Sequence, residues 1–241
     1  MSPRLTFVPQ TGSTNADLLA RLQAGEALAE NDWLIADRQV QGRGRQGRQW
    51  LDAPGNFMGS TVVRIGPHDP PPASLSFVTA LAVYETVLPR LADPHALRLK
   101  WPNDLMLAGR KLCGILLERA GNWAVIGIGV NLAQAPAIAD RETGAVSQAG
   151  TRPERDLFAQ DLAVNFATEV QRWREFGTEA IFNRWQAAAH PVGTPLTVHD
   201  DSGRKVSGTF AGLGADGALR LRLEDGSSHV IHAGDVMLEA R

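Results

Sequence analysis

The sequence predicts an α/β or α+β domain over residues 1–190, then a small SH3-like β-barrel over residues 191–241. Three observations carry this reading. The chain is 241 residues long and 44% hydrophobic, enough for one large unit and one small one. Strand-like and helix-like runs are intermingled up to about residue 190. Pro191-Val192-Gly193 then breaks the pattern, and only short alternating runs follow.

The elements can be justified in order. "TGSTNADLLARLQAGE" reads as a helix, with Thr14-x-x-Asp17 as a capping-box-like start and Gly25 as a stop. "DWLIAD" (32–37) is a short buried strand that leads into "QVQGRGRQGRQW" (39–50). "NFMGSTVVRI" (56–65) is β-rich, and "HDPPPA" (68–73) is a breaker. "SLSFVTALAVYETVLPRLA" (74–92) is apolar nearly all round, the mark of a buried helix. "ALRLKWPND" reads as a strand ending in a turn at Pro102, and "LML-AGRK-LCGILLE" as a hairpin. "WAVIGIGVNL" (123–132) is a strand whose small residues suit a close backbone approach. Residues 134–153 read as a loop. "DLFAQDLAVNFATEVQRWREF" and "TEAIFNRWQAAA" are two amphipathic helices. The runs "PLTVH", "KVSGTFAGL", "ALRLRL", "HVIHA" and "DVMLEA", separated by "DDSG", "GADG" and "EDGS", make up the barrel.

Composition narrows the function. A formal net charge of −2 argues against a polybasic nucleic-acid binder, so any basic site is local. Cys113 is the sole cysteine, which suits a reducing compartment and forbids an intrachain disulfide. No signal-peptide pattern and no apolar run of about 18 residues occurs. A cytoplasmic protein is expected, with neither membrane nor DNA as partner. His229-x-x-His232 reads as structural, and no dedicated metal cluster is expected.

Gly42 to Arg48 packs three glycines and three arginines into seven residues and matches GxGxxG formally. A dinucleotide loop needs a helix to open at its third glycine. Pro54 and Gly55 work against that helix. No GxxxxGK[ST] is present. An RGG-type RNA segment would be longer and repeated. A solvated surface loop remains open. So does an anion-gripping lid, in which glycines supply freedom and arginines supply planar charged forks; such a lid would be disordered without ligand.

A second group lies in "LKWPNDLMLAGRKLCGILLE" (99–118). Lys100, Asn103, Asp104 and Lys111 are polar residues in apolar flanks. A lysine heading a buried strand needs an anionic partner or ligand. The plain alternatives are a solvated turn lysine for Lys111 and an aspartate bonding its own backbone for Asp104.

"GSTN", "GRGRQGRQW", "KWPNDL", "RKLCGIL" and "GIGVN" follow one another in this order. Together they resemble the biotin protein ligases (biotin–[acetyl-CoA-carboxylase] ligases), by motif over about residues 7–132 and by layout beyond. The resemblance implies an α+β fold, a mixed-sheet catalytic domain with packed helices (class II-synthetase/biotin-ligase-like) followed by the small SH3-like β-barrel. It implies an enzyme that uses biotin and ATP with Mg²⁺, forms biotinyl-5′-AMP and pyrophosphate, and biotinylates one lysine of a biotin carboxyl carrier domain. A lipoate-type ligase is the related alternative, although the lipoate ligases' motif has no match here; a nucleic-acid module using the Gly/Arg loop is the non-enzyme one. The STN motif begins at residue 13, so a ligase without an N-terminal DNA-binding domain is expected. A homodimer is compatible with the sequence.

The resemblance also implies roles. Lys111 would contact the biotin carboxylate and the α-phosphate, and Arg43, Gly44 and Arg45 would close over biotin and the adenylate. Ser13, Thr14, Asn15 and Gln39 would meet biotin, with Gly114 and Ile115 lining its pocket. Arg48, Trp50, Asn103 and Asn131 would serve the nucleotide alongside Arg45. Asp104 would orient or deprotonate the acceptor lysine. The chemistry fits these residue types. A carboxylate and an α-phosphate at ~4 Å repel by about 4 kcal/mol at an effective dielectric near 20, and cations between them remove that barrier. No aromatic group for adenine is evident in "LAQAPAIADRETGAVSQ".

Overall fold

The computed structural model describes residues 3–139, 141–200 and 205–238. The expected turn at 200–203 and the end of the last run, 239–240, lie at or beyond the limits of these residues.

A seven-stranded sheet forms the larger unit: β1 (Leu5–Thr11), β2 (Trp33–Gln39), β3 (Phe57–Arg64), β4 (Leu97–Lys100), β5 (Asp104–Leu107), β6 (Arg110–Ala120) and β7 (Trp123–Val130). Its order is β1-β2-β3-β7-β6-β5-β4. β1 and β2 run parallel because α1 (Thr14–Gln23) crosses between them; every other pairing is antiparallel. The sheet is therefore mixed, as the family resemblance implies.

Strand periodicity divides the two faces. Trp33, Ile35, Val63 and Ile126 join the main core, where α2 (Leu75–Val87) and α3 (Arg155–Ala188) pack. Leu34, Val62 and Val125, one residue out of phase, join Leu18 of α1 in a small second cluster. α2 is buried over most of its surface, with Glu85 as its exposed residue, so its apolar composition needs little polar face. α3 holds the two helices read from sequence, broken at Gly177 with φ 72° and ψ −170°. Trp173 from its first part donates its indole N–H to Ser74 at 2.8 Å, while Phe182 and Trp185 from its second pack on Phe77.

The cap of α1 differs from expectation by one residue. Ser13 is the N-cap and accepts from the Ala16 N–H at 3.5 Å. Asp17 instead accepts a hydrogen bond from Thr11, so Thr14 is left free of the cap.

The C-terminal unit is a five-stranded antiparallel sheet of β8 (Pro195–Asp200), β9 (Lys205–Leu213), β10 (Leu219–Arg222), β11 (Ser228–Ile231) and β12 (Gly234–Leu238), ordered β11-β10-β9-β8-β12. Among the described residues β11 and β12 do not pair, so the barrel-like sheet is open at that seam. It is fixed to the larger unit at three places. The Trp101 indole N–H reaches the Gly217 carbonyl at 3.0 Å, Lys100 Nζ the Val236 carbonyl at 3.1 Å, and the Leu213 N–H the Gln186 side chain at 2.8 Å. The Trp101–Pro102 peptide bond is cis. Among the described residues no helix is long and apolar enough to cross a membrane.

Candidate active site

A cavity of about 460 Å³ opens on the α1 face of the large sheet, beyond the start of that helix. The side-chain parity explains why there is room. On β7 the residues sharing Val125's face are Gly127 and Gly129, and register places Gly114 of β6 opposite Gly129. The "GIGV" pattern thus puts isoleucine in the core and glycine on the pocket floor.

Those glycines are required by what enters. A Cβ on Gly127 would lie 2.7 Å from Asn15 Oδ1, and one on Gly129 would lie 2.2 Å from the Trp50 ring. Gly114 faces both Trp50 and Lys111, at 3.0 Å and 3.4 Å from a built Cβ. The close approach anticipated for this strand is made by side chains of the protein itself.

One end of the cavity is polar and uncharged. Gln39 Oε1 accepts from the Thr14 N–H at 2.8 Å and from its hydroxyl at 3.1 Å, and that hydroxyl lies 2.6 Å from Ser60 Oγ. Asn15 donates to Glu118 at 2.7 Å, while its Oδ1 is buried without a hydrogen-bond partner. That atom is an acceptor with room for a donor from a ligand.

The other end is cationic. Lys111 Nζ lies 2.5 Å from Asp104 Oδ1, and Lys100 Nζ lies 3.5 Å from Oδ2. Both Lys111 and Asp104 are largely enclosed, at 14% and 9% side-chain exposure, so neither the solvated lysine nor the self-bonded aspartate describes them. Burial alone would raise the Asp104 carboxyl, but Lys111, Lys100 and Arg141 outweigh it and hold the group below its usual range. Lys100 is pressed down by burial, helped by Lys111 and Arg141 and opposed by Asp104. Burial pushes the Cys113 thiol up, so this core cysteine stays an inert thiol.

The glycine–arginine segment forms a short hairpin. Arg43 bridges Gln49, the Gly44 N–H reaches the Arg48 carbonyl at 2.7 Å, and the Trp50 N–H reaches the Gly42 carbonyl at 2.9 Å. Its tip takes positive φ at Gln46 (55°) and Gly47 (72°). Gly42 is needed for fit, because a Cβ there would meet the Trp50 carbonyl at 2.6 Å. Arg43 pairs with Glu118 at 2.9 Å and Arg45 donates to Asn103 at 3.0 Å, which holds the hairpin across the cavity mouth. Arg48 is pushed down by burial and then by Arg141 and Arg45, against Asp104, the mark of a crowded positive field.

Of the residues singled out in the sequence, Ser13, Thr14, Asn15, Gln39, Arg43, Gly44, Arg45, Arg48, Trp50, Asn103, Asp104, Lys111, Gly114 and Ile115 all line this cavity. Asn131 does not. Its amide is buried behind β6, donating to the Gly144 carbonyl at 3.1 Å and accepting from Asn56 at 3.3 Å. Just past the end of β7, it ties the chain there to the 141–146 segment. Sequence reasoning missed Glu118, Ser60 and Arg141. Glu118 carried a signal, a carboxylate closing the apolar run "LCGILLE". Ser60 and Arg141 carried none, because their approach depends on sheet register and on the path of a loop.

Comparison with known proteins gives a consistent result. Residues 7–132 match the model of the biotin/lipoate A/B protein ligase family, and residues 193–238 match that of the biotin protein ligase C terminal domain. The chain is 37% identical to the biotin–[acetyl-CoA-carboxylase] ligase of Paracoccus denitrificans, covering 95% of this chain and 98% of that one. It is 36% identical to the ligase of the same name from Mycobacterium tuberculosis, covering 97% and 88%. The fold resembles the biotin protein ligase of Aquifex aeolicus solved with biotin and ATP, with a TM-score of 0.84 at 22% identity over 99% of both chains.

Proposed function

The chain belongs to the biotin/lipoate A/B protein ligase family, and from that premise we propose that it activates biotin with ATP and transfers it to a lysine of a biotin carboxyl carrier domain. The observation that carries this reading is Lys111. Its ammonium stands where a neutral polar end and a cationic end of one cavity meet, 2.5 Å from a buried carboxylate.

In the first step a biotin carboxylate oxygen attacks the α-phosphorus of ATP. A C–O–P anhydride forms, the bond from the α-phosphorus to the β-phosphate oxygen breaks, and pyrophosphate leaves with that electron pair. Ser13, Thr14, Asn15 and Gln39 bind the polar ring of biotin, with the unpartnered Asn15 Oδ1 as acceptor for a ring N–H. Gly114 and Ile115 line its path. Lys111, Arg43 and Arg45, with the Gly44 backbone, stand over the carboxylate and the α-phosphate, where negative charge gathers. Arg45, Arg48, Trp50 and Asn103 serve the nucleotide.

In the second step the acceptor amine attacks the biotinyl carbonyl. An amide bond forms, the C–O bond to AMP breaks, and AMP leaves with the pair. A carboxylate held as acidic as Asp104 orients the acceptor ammonium and leaves its proton to solvent. Magnesium arrives with ATP on its phosphate oxygens. Both oxygens of Asp104 are already engaged by lysines, so this carboxylate does not suit a resident metal. Residues 1–190 act as the catalytic unit and 191–241 as its C-terminal support.

Lys111→Met is expected to abolish biotin-dependent ATP–pyrophosphate exchange while leaving the circular-dichroism spectrum and melting temperature close to those of the parent. Exchange at the parent rate would remove the lysine from the mechanism. Calorimetric titration with biotin and with lipoate, each with and without ATP, separates the proposed substrate from the related one.

A further inference from the structure

Arg141 stands out among the cations of the site because it has no anchor among the described residues. Arg43 is held by Glu118, Arg45 by Asn103, and Lys111 and Lys100 by Asp104. The Arg141 guanidinium has no hydrogen bond or ion pair with another described residue, and yet it is only partly exposed. Its backbone is well placed. Lys111 N–H donates to the Glu142 carbonyl and Gly144 N–H to the Lys111 carbonyl, both at 2.9 Å, and Thr143 bridges Lys111. The residue is thus carried on a segment hydrogen-bonded to the strand that bears Lys111, with a fork of donors that no described residue occupies.

Its position within the site is also distinct. A second cavity of about 630 Å³ lies on the far side of Asp104, between β5 and β12, and shares Asn103, Asp104 and Arg141 with the first. Arg141 therefore stands where the two cavities meet, whereas Ser13, Thr14 and Gln39 line the first and not the second. An in-line displacement at the α-phosphorus sends the leaving group away from the attacking carboxylate. With biotin bound toward the neutral end, the departing oxygens point toward this meeting point.

We propose that Arg141 is a further catalytic residue, which binds the β- and γ-phosphates of ATP and stabilises pyrophosphate as it leaves. This rests on the reading of the cavity as a biotin-activating site. A planar guanidinium with free donors suits a polyphosphate better than an ammonium does. The charge gathered on the leaving oxygens as the bond from the α-phosphorus breaks meets a cation that forms no ion pair with a described carboxylate.

The test compares the parent, Arg141→Ala and Arg141→Lys in ATP–pyrophosphate exchange with biotin present. It also measures inhibition by inorganic pyrophosphate and binding of a non-hydrolysable biotinyl-sulfamoyl adenosine, which lacks the β- and γ-phosphates. For Arg141→Ala the KM for ATP and the inhibition constant of pyrophosphate should rise roughly ten- to hundredfold, the range of a lost charge-assisted hydrogen bond. Binding of the adenylate analogue should stay within about twofold, which also shows the fold to be intact. Arg141→Lys should recover part of the loss. Unchanged pyrophosphate inhibition overturns the proposal, and so does a parallel loss of analogue binding, which would put Arg141 on the α-phosphate or in the fold. Absence of biotin-dependent exchange in the parent would instead remove the activity on which the proposal stands.

Discussion

At the scale of the residue, the floor of the site is made by what three glycines lack. Gly129 is the clearest, since its missing side chain leaves the space that the Trp50 ring occupies. Gly129→Ala would force a contact of 2.2 Å unless the indole withdrew. Trp50 lies on a half-exposed hairpin and can withdraw, so the cost falls on the site more than on the core. We expect the melting temperature to move little, because overpacking of about 1–3 kcal/mol is relieved by that movement. Binding of biotin and ATP, followed by calorimetry, should weaken. Unchanged affinities would show that the Trp50 position is incidental to ligand binding.

At the scale of the element, α3 is two helices joined by one residue whose backbone only glycine adopts readily. Nothing lies within 4 Å of a Cβ built on Gly177, so substitution costs backbone strain and not packing. Gly177→Ala should lower stability by about 1–3 kcal/mol, seen as a lower urea midpoint at unchanged slope. A midpoint equal to the parent's would mean that the break is not needed to seat Phe182 and Trp185. The sequence already divided this helix at the right place, since two amphipathic stripes fall out of phase there. The same holds for "DWLIAD", read as a short buried strand and found as β2 with Trp33 to Ala36 buried. The cap of α1 and the hairpin at Arg43–Gln49 were not legible in that way. Both depend on partners distant in sequence: Gln39 claims the Thr14 N–H, and Glu118 takes Arg43. Asn131 shows a related limit: the motif "GIGVN" marks the position, and its hydrogen bonds with Asn56 and Gly144 emerge only from the three-dimensional path of the chain.

For the whole molecule, the junction between the two sheets has its own acid sensitivity. His190 follows α3 among Leu99, Trp101, Trp185 and Phe210, with a buried Nε2 lacking a hydrogen-bond partner. Burial, and then Arg98 and Lys100, push its imidazole down from 6.5 to about 4. Between those values the unfolded chain binds the proton and the folded one does not, so stability falls as pH drops from about 6.5 toward 4. Asp104 has the opposite chemistry and a lower window: its folded pKa is depressed, so its contribution is present above about 3.9 and lost as pH falls through the folded value. Urea midpoints measured across this range should decline in the upper window for the parent and decline less for His190→Asn. Equal slopes would take His190 out of the account.

Lys100 joins these levels, because one ammonium touches the Asp104 carboxylate and the Val236 carbonyl of β12. Linkage through a shared group is reciprocal. Whatever changes the charge at Asp104, including an arriving acceptor amine, is felt by the last strand as a change in how firmly it is held. Fraying of that strand is felt in turn as a change in the acidity of the catalytic carboxylate. The terminal sheet is therefore a working part of the chemistry, and a lesion placed in β12, far along the chain from every motif, would present as a kinetic defect before it presented as an unfolded protein.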